Sequence, residues 1–167
     1  RMAELTKVQQ DLRSGLRRLA KAVVIITCRH DGQRYAMAAT AVSELSMEPP
    51  SMLICVNKTA SISPVLTAGA DFAINILDGG HKAIADACSG AIKGEARFQI
   101  GSWQEGATGI PVLADAQASF QCRNVNRFSH GTHDIFIGEV FDTRTAGDVN
   151  PLVYVDGRYT LNAKDSV

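Results

Sequence analysis

The chain predicts a mainly β fold with flanking helices, organised as an antiparallel barrel. Three observations carry that prediction. Short β-branched and apolar runs recur along most of the sequence, separated by turns containing Gly, Asp or Pro. Only two or three helical stretches lie between them, without the regular alternation that a doubly wound parallel sheet requires. Seven or eight antiparallel strands lose their vulnerable edges most simply by closing on themselves.

The elements follow in order. Leu5, Val8, Leu12, Leu16 and Leu19 are spaced three or four apart, which predicts an amphipathic helix laid on a core. At Ala22 the period changes, and Val23-Val24-Ile25-Ile26-Thr27-Cys28 runs to the turn signal Asp31-Gly32. Strands are predicted near 22–30, 34–44, 51–57, 71–77, 116–128, 134–144 and 151–155, with a short one near 158–161. A helical turn fits 62–68, His81 to Ser89 reads as helix, and Gly90 to Gly109 as irregular. No repeat or composition shift divides the chain, so residues 1–167 are expected to form one domain.

Composition narrows the function. Seventeen Lys and Arg balance seventeen Asp and Glu, which favours neither nucleic acid nor an anionic membrane as partner. Arg13, Arg17, Arg18 and Lys21 have helical spacing and read as a solvated helix face. No apolar run approaches the roughly twenty residues of a membrane span. Arg1-Met2-Ala3-Glu4 lacks the apolar core of a secretory signal, so a cytoplasmic location is expected. Cys28, Cys55, Cys88 and Cys122 form no C-x-x-C, and no His stands at zinc-ligand spacing, so reduced buried thiols and no metal are expected. Neither a Rossmann fingerprint nor a P-loop is present.

The most informative stretch is Met37 to Ser63. Small residues (Ala38, Ala39, Thr40, Ala41, Ser43) allow main-chain amides to approach a flat ring, although such residues equally pack beneath a helix. After the Pro49–Pro50 break, an apolar strand opens into Asn57, Lys58, Thr59, Ser61 and Ser63, a set of donors with one fixed positive charge. Hydroxyls and amides before a proline-initiated turn suit an anion, though polar loops also occur without ligands. A third element is Gly131-Thr132-His133-Asp134 at the mouth of a strand. His133 is the histidine placed to reach a pocket; His130 is the alternative, and His30 and His81 are expected on the surface.

The order ATAV (39–42), PPSMLICVN (49–57), S-x-S-P (61–64), FAINIL (72–77), RF (97–98), GTH (131–133), IGEV (137–140) and PLVY…GRY (151–159) resembles the short-chain flavin reductases, from about residue 10 to residue 160. These are the reductase components of two-component flavin-dependent monooxygenases. Among subgroups the chain looks like the reductase partner of 4-hydroxyphenylacetate 3-monooxygenase, which also carries Gly-Thr-His.

The resemblance implies a six-stranded antiparallel Greek-key split barrel of the FMN-binding type. It also implies a homodimer with FMN or FAD near the interface, NADH or NADPH as hydride donor and a flavin-dependent oxygenase as partner. Carried over, Met37, Ala38, Ala39, Thr40, Ala41 and Ser43 line the isoalloxazine ring. Asn57, Lys58 and Ser61 hold the phosphate, with Arg97 and Phe98 near that end. His133 contacts the nicotinamide and Tyr159 closes the pocket. Ala38 and Thr132 depart from the commoner Thr and Asp of relatives. An adenine pocket, if FAD is used, is expected to be built from the 90–109 loop around Trp103. Alternatives are a flavoprotein that retains FMN and reduces a corrinoid or ferric chelate, a flavin-binding electron-transfer module, and a purely structural barrel.

Overall fold

A computed structural model describes residues 3–160. The helix predicted over Leu5 to Leu19 is shorter, α1 (Lys7–Leu16), opened by a capping box in which Thr6 and Gln9 bond reciprocally. It buries no residue. Val8, Leu12, Leu16 and Leu19 are 77%, 60%, 43% and 56% exposed. The apolar stripe is therefore real, but the expectation that it packs on this chain's core is corrected. What anchors the segment is polar: Arg17 Nε donates to Asp156 Oδ1 (3.0 Å), and the Asp156 amide donates to the Arg17 carbonyl (2.8 Å).

Beyond it come β1 (Lys21–Ala22), β2 (Val24–His30), β3 (Gln33–Ala39), β4 (Val42–Met47), β5 (Pro50–Asn57), α2 (Ser63–Thr67) and β6 (Phe72–Ile76). They are followed by α3 (Lys82–Asp86), β7 (Trp103–Glu105), β8 (Pro111–Leu113), β9 (Ala118–His130), β10 (His133–Thr145), β11 (Val153–Val155) and β12 (Arg158–Thr160). Seven strands form one antiparallel sheet in the order β3-β2-β6-β9-β10-β5-β4. Asp31 (φ 51°) and Gly32 (φ 76°) make the two-residue hairpin that the sequence signalled, pairing His30 with Gln33.

The strand predicted over 34–44 breaks at Thr40–Ala41, and its halves occupy opposite edges of the sheet. The Ala41 carbonyl accepts the Cys55 amide (2.9 Å), which carries the β4–β5 pairing up to the crossing. Counted as one bent strand, β3 and β4 leave the six strands expected of the barrel. Before the crossing, β3 pairs only with β2, and its other edge is open. That opening is the split.

Inside the barrel, Val24, Ile26, Ile54, Val56, Leu66, Phe72, Ile74 and Phe136 form the main core. β9 and β10 bend around it at irregularities near Gly138 and Val140. A second cluster (Ile25, Leu77, Ile84, Phe98, Leu113, Leu152) fills the space beneath α3. Asn75 sits buried between β2, β6 and β8; it donates to the Ile25 carbonyl (3.0 Å) and accepts from the Leu113 amide (3.0 Å) and the Ser119 hydroxyl (2.8 Å).

The 90–109 stretch is more ordered than its glycines predict. A π-turn (Ala87–Ala91) and a 3-10 turn (Gly94–Gln99) lead into a β7–β8 hairpin. His81, expected on the surface, is buried: its Nδ1 accepts the Asp78 amide (3.0 Å) while Nε2 faces Asp115 Oδ2 (3.0 Å). The last predicted strand ends at Thr160; position 161 lies outside the described residues. All four cysteines are free thiols, as expected. Among the described residues no helix is long and apolar enough to cross a membrane.

Candidate functional site

Two clefts flank the Thr40–Ala41 crossing. The larger, about 1020 Å³, follows the open edge of β3 and is lined by Gln33 to Ala36, by Thr59 and Ser61 after β5, and by Lys93 to Glu95 and Arg97. Arg29 and Gly32 close its far end. The smaller, about 500 Å³, is lined by Thr40 to Ser43, Leu53, Cys55 and the segment Leu19 to Ala22.

The ring-lining candidates divide between core and cleft. Met37 and Ala39 pack against the barrel core and Ala38 against the second cluster, leaving the main chain of β3 as the surface they present. Thr40, Ala41 and Ser43 line the smaller cleft.

The phosphate candidates are shaped by local bonds. The Asn57 carboxamide oxygen accepts from the Thr59 amide (3.0 Å) and hydroxyl (2.9 Å), an Asx turn that sets the loop's course. Asn57 is thus committed to geometry, while Thr59 and Ser61 face the larger cleft. Lys58 joins this loop to the neighbouring hairpin: its amide donates to the Thr132 carbonyl (2.9 Å) and its Nζ to the Gly131 carbonyl (2.9 Å). Gly131 (φ 56°) supplies the left-handed position that this turn needs.

His133 starts β10 directly opposite Asn57 in the ladder, and Ile135 opposes Cys55. Because alternate residues share a face, His133, Asn57, Cys55, Leu53 and Ser43 all lie on the outer side of β4, β5 and β10. The structure therefore brings His133, Asn57 and Ser43 onto one surface, with Lys58 tied to the adjoining Gly131–Thr132 turn. The Thr132 hydroxyl lies 2.8 Å from His133 Nδ1.

Arg97 faces the larger cleft but spends most of its guanidinium internally: Nε donates to the Ile92 carbonyl (2.7 Å) and Nη1 to the Ala36 carbonyl (2.6 Å). Phe98 is 7% exposed, edge-on to Trp103 (5.1 Å) and beneath the Arg34 guanidinium (4.3 Å), so it supports the cleft from behind. Trp103 itself lines neither cleft; its Nε1 donates to the Ile100 carbonyl (2.8 Å). Tyr159 also lines neither; it packs edge-on to Tyr154 (5.4 Å) in the small β1-β11-β12 sheet.

Sequence reasoning missed Arg29, Arg34, Tyr35, Lys93 and Glu95 in the larger cleft. Arg34 and Glu95 form an ion pair, Nε to Oε1 2.9 Å, and the hydrogen bond from Arg34 holds the Glu95 carboxyl below its ordinary range. The available signal was the density of charge around Asp31-Gly32 and between Lys93 and Arg97. Leu19 to Ala22 in the smaller cleft carried no signal beyond their place after α1.

A split antiparallel barrel with a donor-rich cleft at its seam defines a nucleotide-binding class without a glycine-rich phosphate loop. The profile of the family described as "Flavin reductase like domain" matches residues 16–162, and the chain belongs to that family. It is 40% identical over 149 residues to FMN reductase (NADH) RutF of Variovorax paradoxus (strain S110), spanning 89% of this chain and 83% of that protein. It is 38% identical over 154 residues to the reductase component of the FADH(2)-dependent resorcinol hydroxylase of Rhizobium sp. (strain MTP-10005), spanning 91% and 86%. Among solved structures, the NADH:FAD oxidoreductase SgcE6 of Streptomyces globisporus C-1027, in complex with NAD and FAD fragments, superposes with a TM-score of 0.88 at 28% identity, covering 99% of this chain and 100% of that one.

Proposed function

We propose that the protein is an NAD(P)H-dependent flavin reductase that passes hydride to FMN or FAD and supplies the reduced flavin to a partner flavin-dependent oxygenase. The observation that carries this reading is the double attachment of Lys58 to the Gly131–Thr132 turn, which holds the hydroxyl-rich loop and His133 in one fixed arrangement.

The donor set fits a phosphorylated flavin. Ser61 offers a hydroxyl beside the Thr59 turn, and Lys58 gives one ammonium proton to Gly131 and keeps two for an anion. Small side chains from Ala38 to Ala41 leave main-chain amides and carbonyls within reach of a flat heteroaromatic edge. When bound, the flavin supplies the hydride acceptor and the redox chemistry. The protein's share is to align two flat rings, keep water from between them and place positive charge nearby. The Thr132 hydroxyl, 2.8 Å from His133 Nδ1, is compatible with the tautomer that carries its proton on Nε2, where it would donate to a nicotinamide carboxamide oxygen.

A second copy of the chain belongs to this reading. The smaller cleft is walled on one side by Leu19 to Ala22, next to an α1 stripe that is left exposed among the described residues. A homodimer that buries this stripe closes the cleft. Anaerobic mixing of the protein with NADH and either flavin tests the proposal: oxidised-flavin absorbance is expected to disappear at a rate proportional to enzyme. A rate equal to the enzyme-free control overturns it.

A further inference from the structure

His130 and His133 flank the Gly131–Thr132 turn and pair directly opposite each other at the end of the β9–β10 ladder. Gly131 (φ 56°) takes the left-handed position of that turn. Directly opposed residues of an antiparallel pair share one face, with Cβ atoms about 4.5–5.5 Å apart. Both histidines are exposed. His-x-x-His is one residue short of the spacing that serves a zinc finger, yet a hairpin folds it so that the two imidazoles stand side by side.

Such a pair suits one metal ion. Bonds of about 2.0–2.1 Å from each nitrogen place the two nitrogens roughly 3.3 Å apart, within reach of imidazoles on Cβ atoms at that separation. Among the described residues no group of three or more His, Cys, Asp or Glu forms a larger ligand set, so solvent supplies the remaining ligands. The donor type selects the ion. Asp134 is buried, on the opposite face of β10 from His133, and the turn's Gly131 carbonyl is already held by Lys58 Nζ (2.9 Å). Two imidazole nitrogens without a carboxylate disfavour Mg²⁺ and Ca²⁺ and suit Zn²⁺, Ni²⁺ or Cu²⁺.

The Thr132 hydroxyl, 2.8 Å from His133 Nδ1, serves this role as well. A hydroxyl accepts as readily as it donates. When it accepts the Nδ1 proton, the Nε2 lone pair is left free for a metal, the kind of outer contact that orients metal-binding histidines.

We propose that His130 and His133 form a two-histidine site for a divalent transition metal, and that the metal competes with the nicotinamide for His133 Nε2. The competition rests on the flavin reductase reading; the metal site does not. A bound metal takes the lone pair on Nε2 and leaves no proton there to donate, so occupancy inhibits hydride delivery.

The experiment is calorimetric titration of Ni²⁺ at pH 8 into the untagged protein, His130→Ala, His133→Ala and His30→Ala, together with the KM for NADH with and without Ni²⁺, using FMN as acceptor. His30 stands beside Asp31 (3.5 Å) and is the control for a separate histidine–carboxylate contact. Ni²⁺ is expected to bind the wild type and His30→Ala alike, and to weaken about a hundredfold in His130→Ala and in His133→Ala, because losing either ligand removes the gain from intramolecular chelation. Ni²⁺ is also expected to raise the KM for NADH in the wild type and to leave that of His130→Ala at its metal-free value. Equal Ni²⁺ affinity in the wild type and His130→Ala, or no binding at millimolar Ni²⁺, overturns the site. Binding that needs both histidines with an unchanged KM supports the site and overturns the competition. Binding that needs both histidines in a protein without NADH-dependent flavin reduction supports the site and rejects the reductase reading.

Discussion

Arg97 holds the Ala36 carbonyl at 2.6 Å, and this bond fastens the 92–98 segment to the open edge of β3. The same guanidinium holds Ile92 from the other side of that segment. Arg97 therefore builds the wall of the larger cleft as well as charging it. Arg97→Ala frees two carbonyls and is expected to cost about 2 kcal/mol of stability and to weaken flavin binding. Arg97→Lys restores the charge but not the fork, and should leave most of the stability loss in place. Urea unfolding of the two variants checks this; full recovery in Arg97→Lys would show that charge alone matters.

Gly138 lies where β10 crosses the core. A Cβ there would stand 2.6 Å from both Cys122 Cβ and Phe72 Cζ, and neither neighbour is a flexible chain end. Gly138→Ala is expected to cost about 1–3 kcal/mol through overpacking. Thermal unfolding is the measurement, and an unchanged midpoint would mean that the bend relaxes freely.

Much of this architecture is legible in the sequence because strands advertise themselves locally. Val23 to Cys28 reads as a strand from β-branching alone, and Asp31-Gly32 specifies its own turn. The break at Thr40–Ala41 carries no such mark, since the small residues on either side alternate without interruption; only closure of the sheet forces the chain to change edges. The stripe on α1 shows the opposite gap: periodicity reveals an apolar face but not which molecule covers it. Arg34 and Lys93 flank glycine turns, where charge is ordinarily read as solvated, and only the fold brings them to one cleft. His133, Lys58 and Ser61 were legible as candidates because their residue types suit the ligand; that His133 shares a face with Asn57 required the β5–β10 register.

His133 is exposed at the start of β10, so its replacement should leave the fold intact. His133→Ala is expected to raise the KM for NADH about tenfold with little change in flavin affinity, the loss of one well-placed hydrogen bond. Thr132→Val removes the hydroxyl at Nδ1 and should produce a smaller change of the same sign. Steady-state kinetics decide; an unchanged KM in His133→Ala removes it from the nicotinamide site.

Burial pushes the thiols of Cys28 and Cys122 up to about 12 and that of Cys88 up to about 11, from an ordinary 9.0. The folded protein thus keeps these protons where the unfolded chain releases them. Their contribution to stability is full below pH 9 and declines as pH rises from there towards 11 and 12. The urea midpoint is expected to fall steadily between pH 9 and 11. The same three thiols should resist iodoacetamide at pH 8 in the native state. Rapid modification of all four cysteines would contradict the burial on which this depends.

The last expectation concerns the stripe on α1. Neither Leu12 nor Leu16 is buried among the described residues, so replacing either with Glu should leave the monomer's secondary structure unchanged. In water such a stripe is costly to leave bare, and a dimer that buries it gains roughly 25 cal/mol per Å² of apolar surface removed from solvent. Leu12→Glu places a charge within that interface and is expected to convert a dimer to monomers in sedimentation velocity. Leu19 continues the stripe and lines the smaller cleft, so separation of the copies should also weaken flavin binding, by about tenfold. Val149, more exposed at 84% and belonging to neither α1 nor the two clefts, provides the control: Val149→Glu should alter neither mass nor affinity. A wild-type protein that sediments as a monomer with full flavin affinity would leave the stripe without this role.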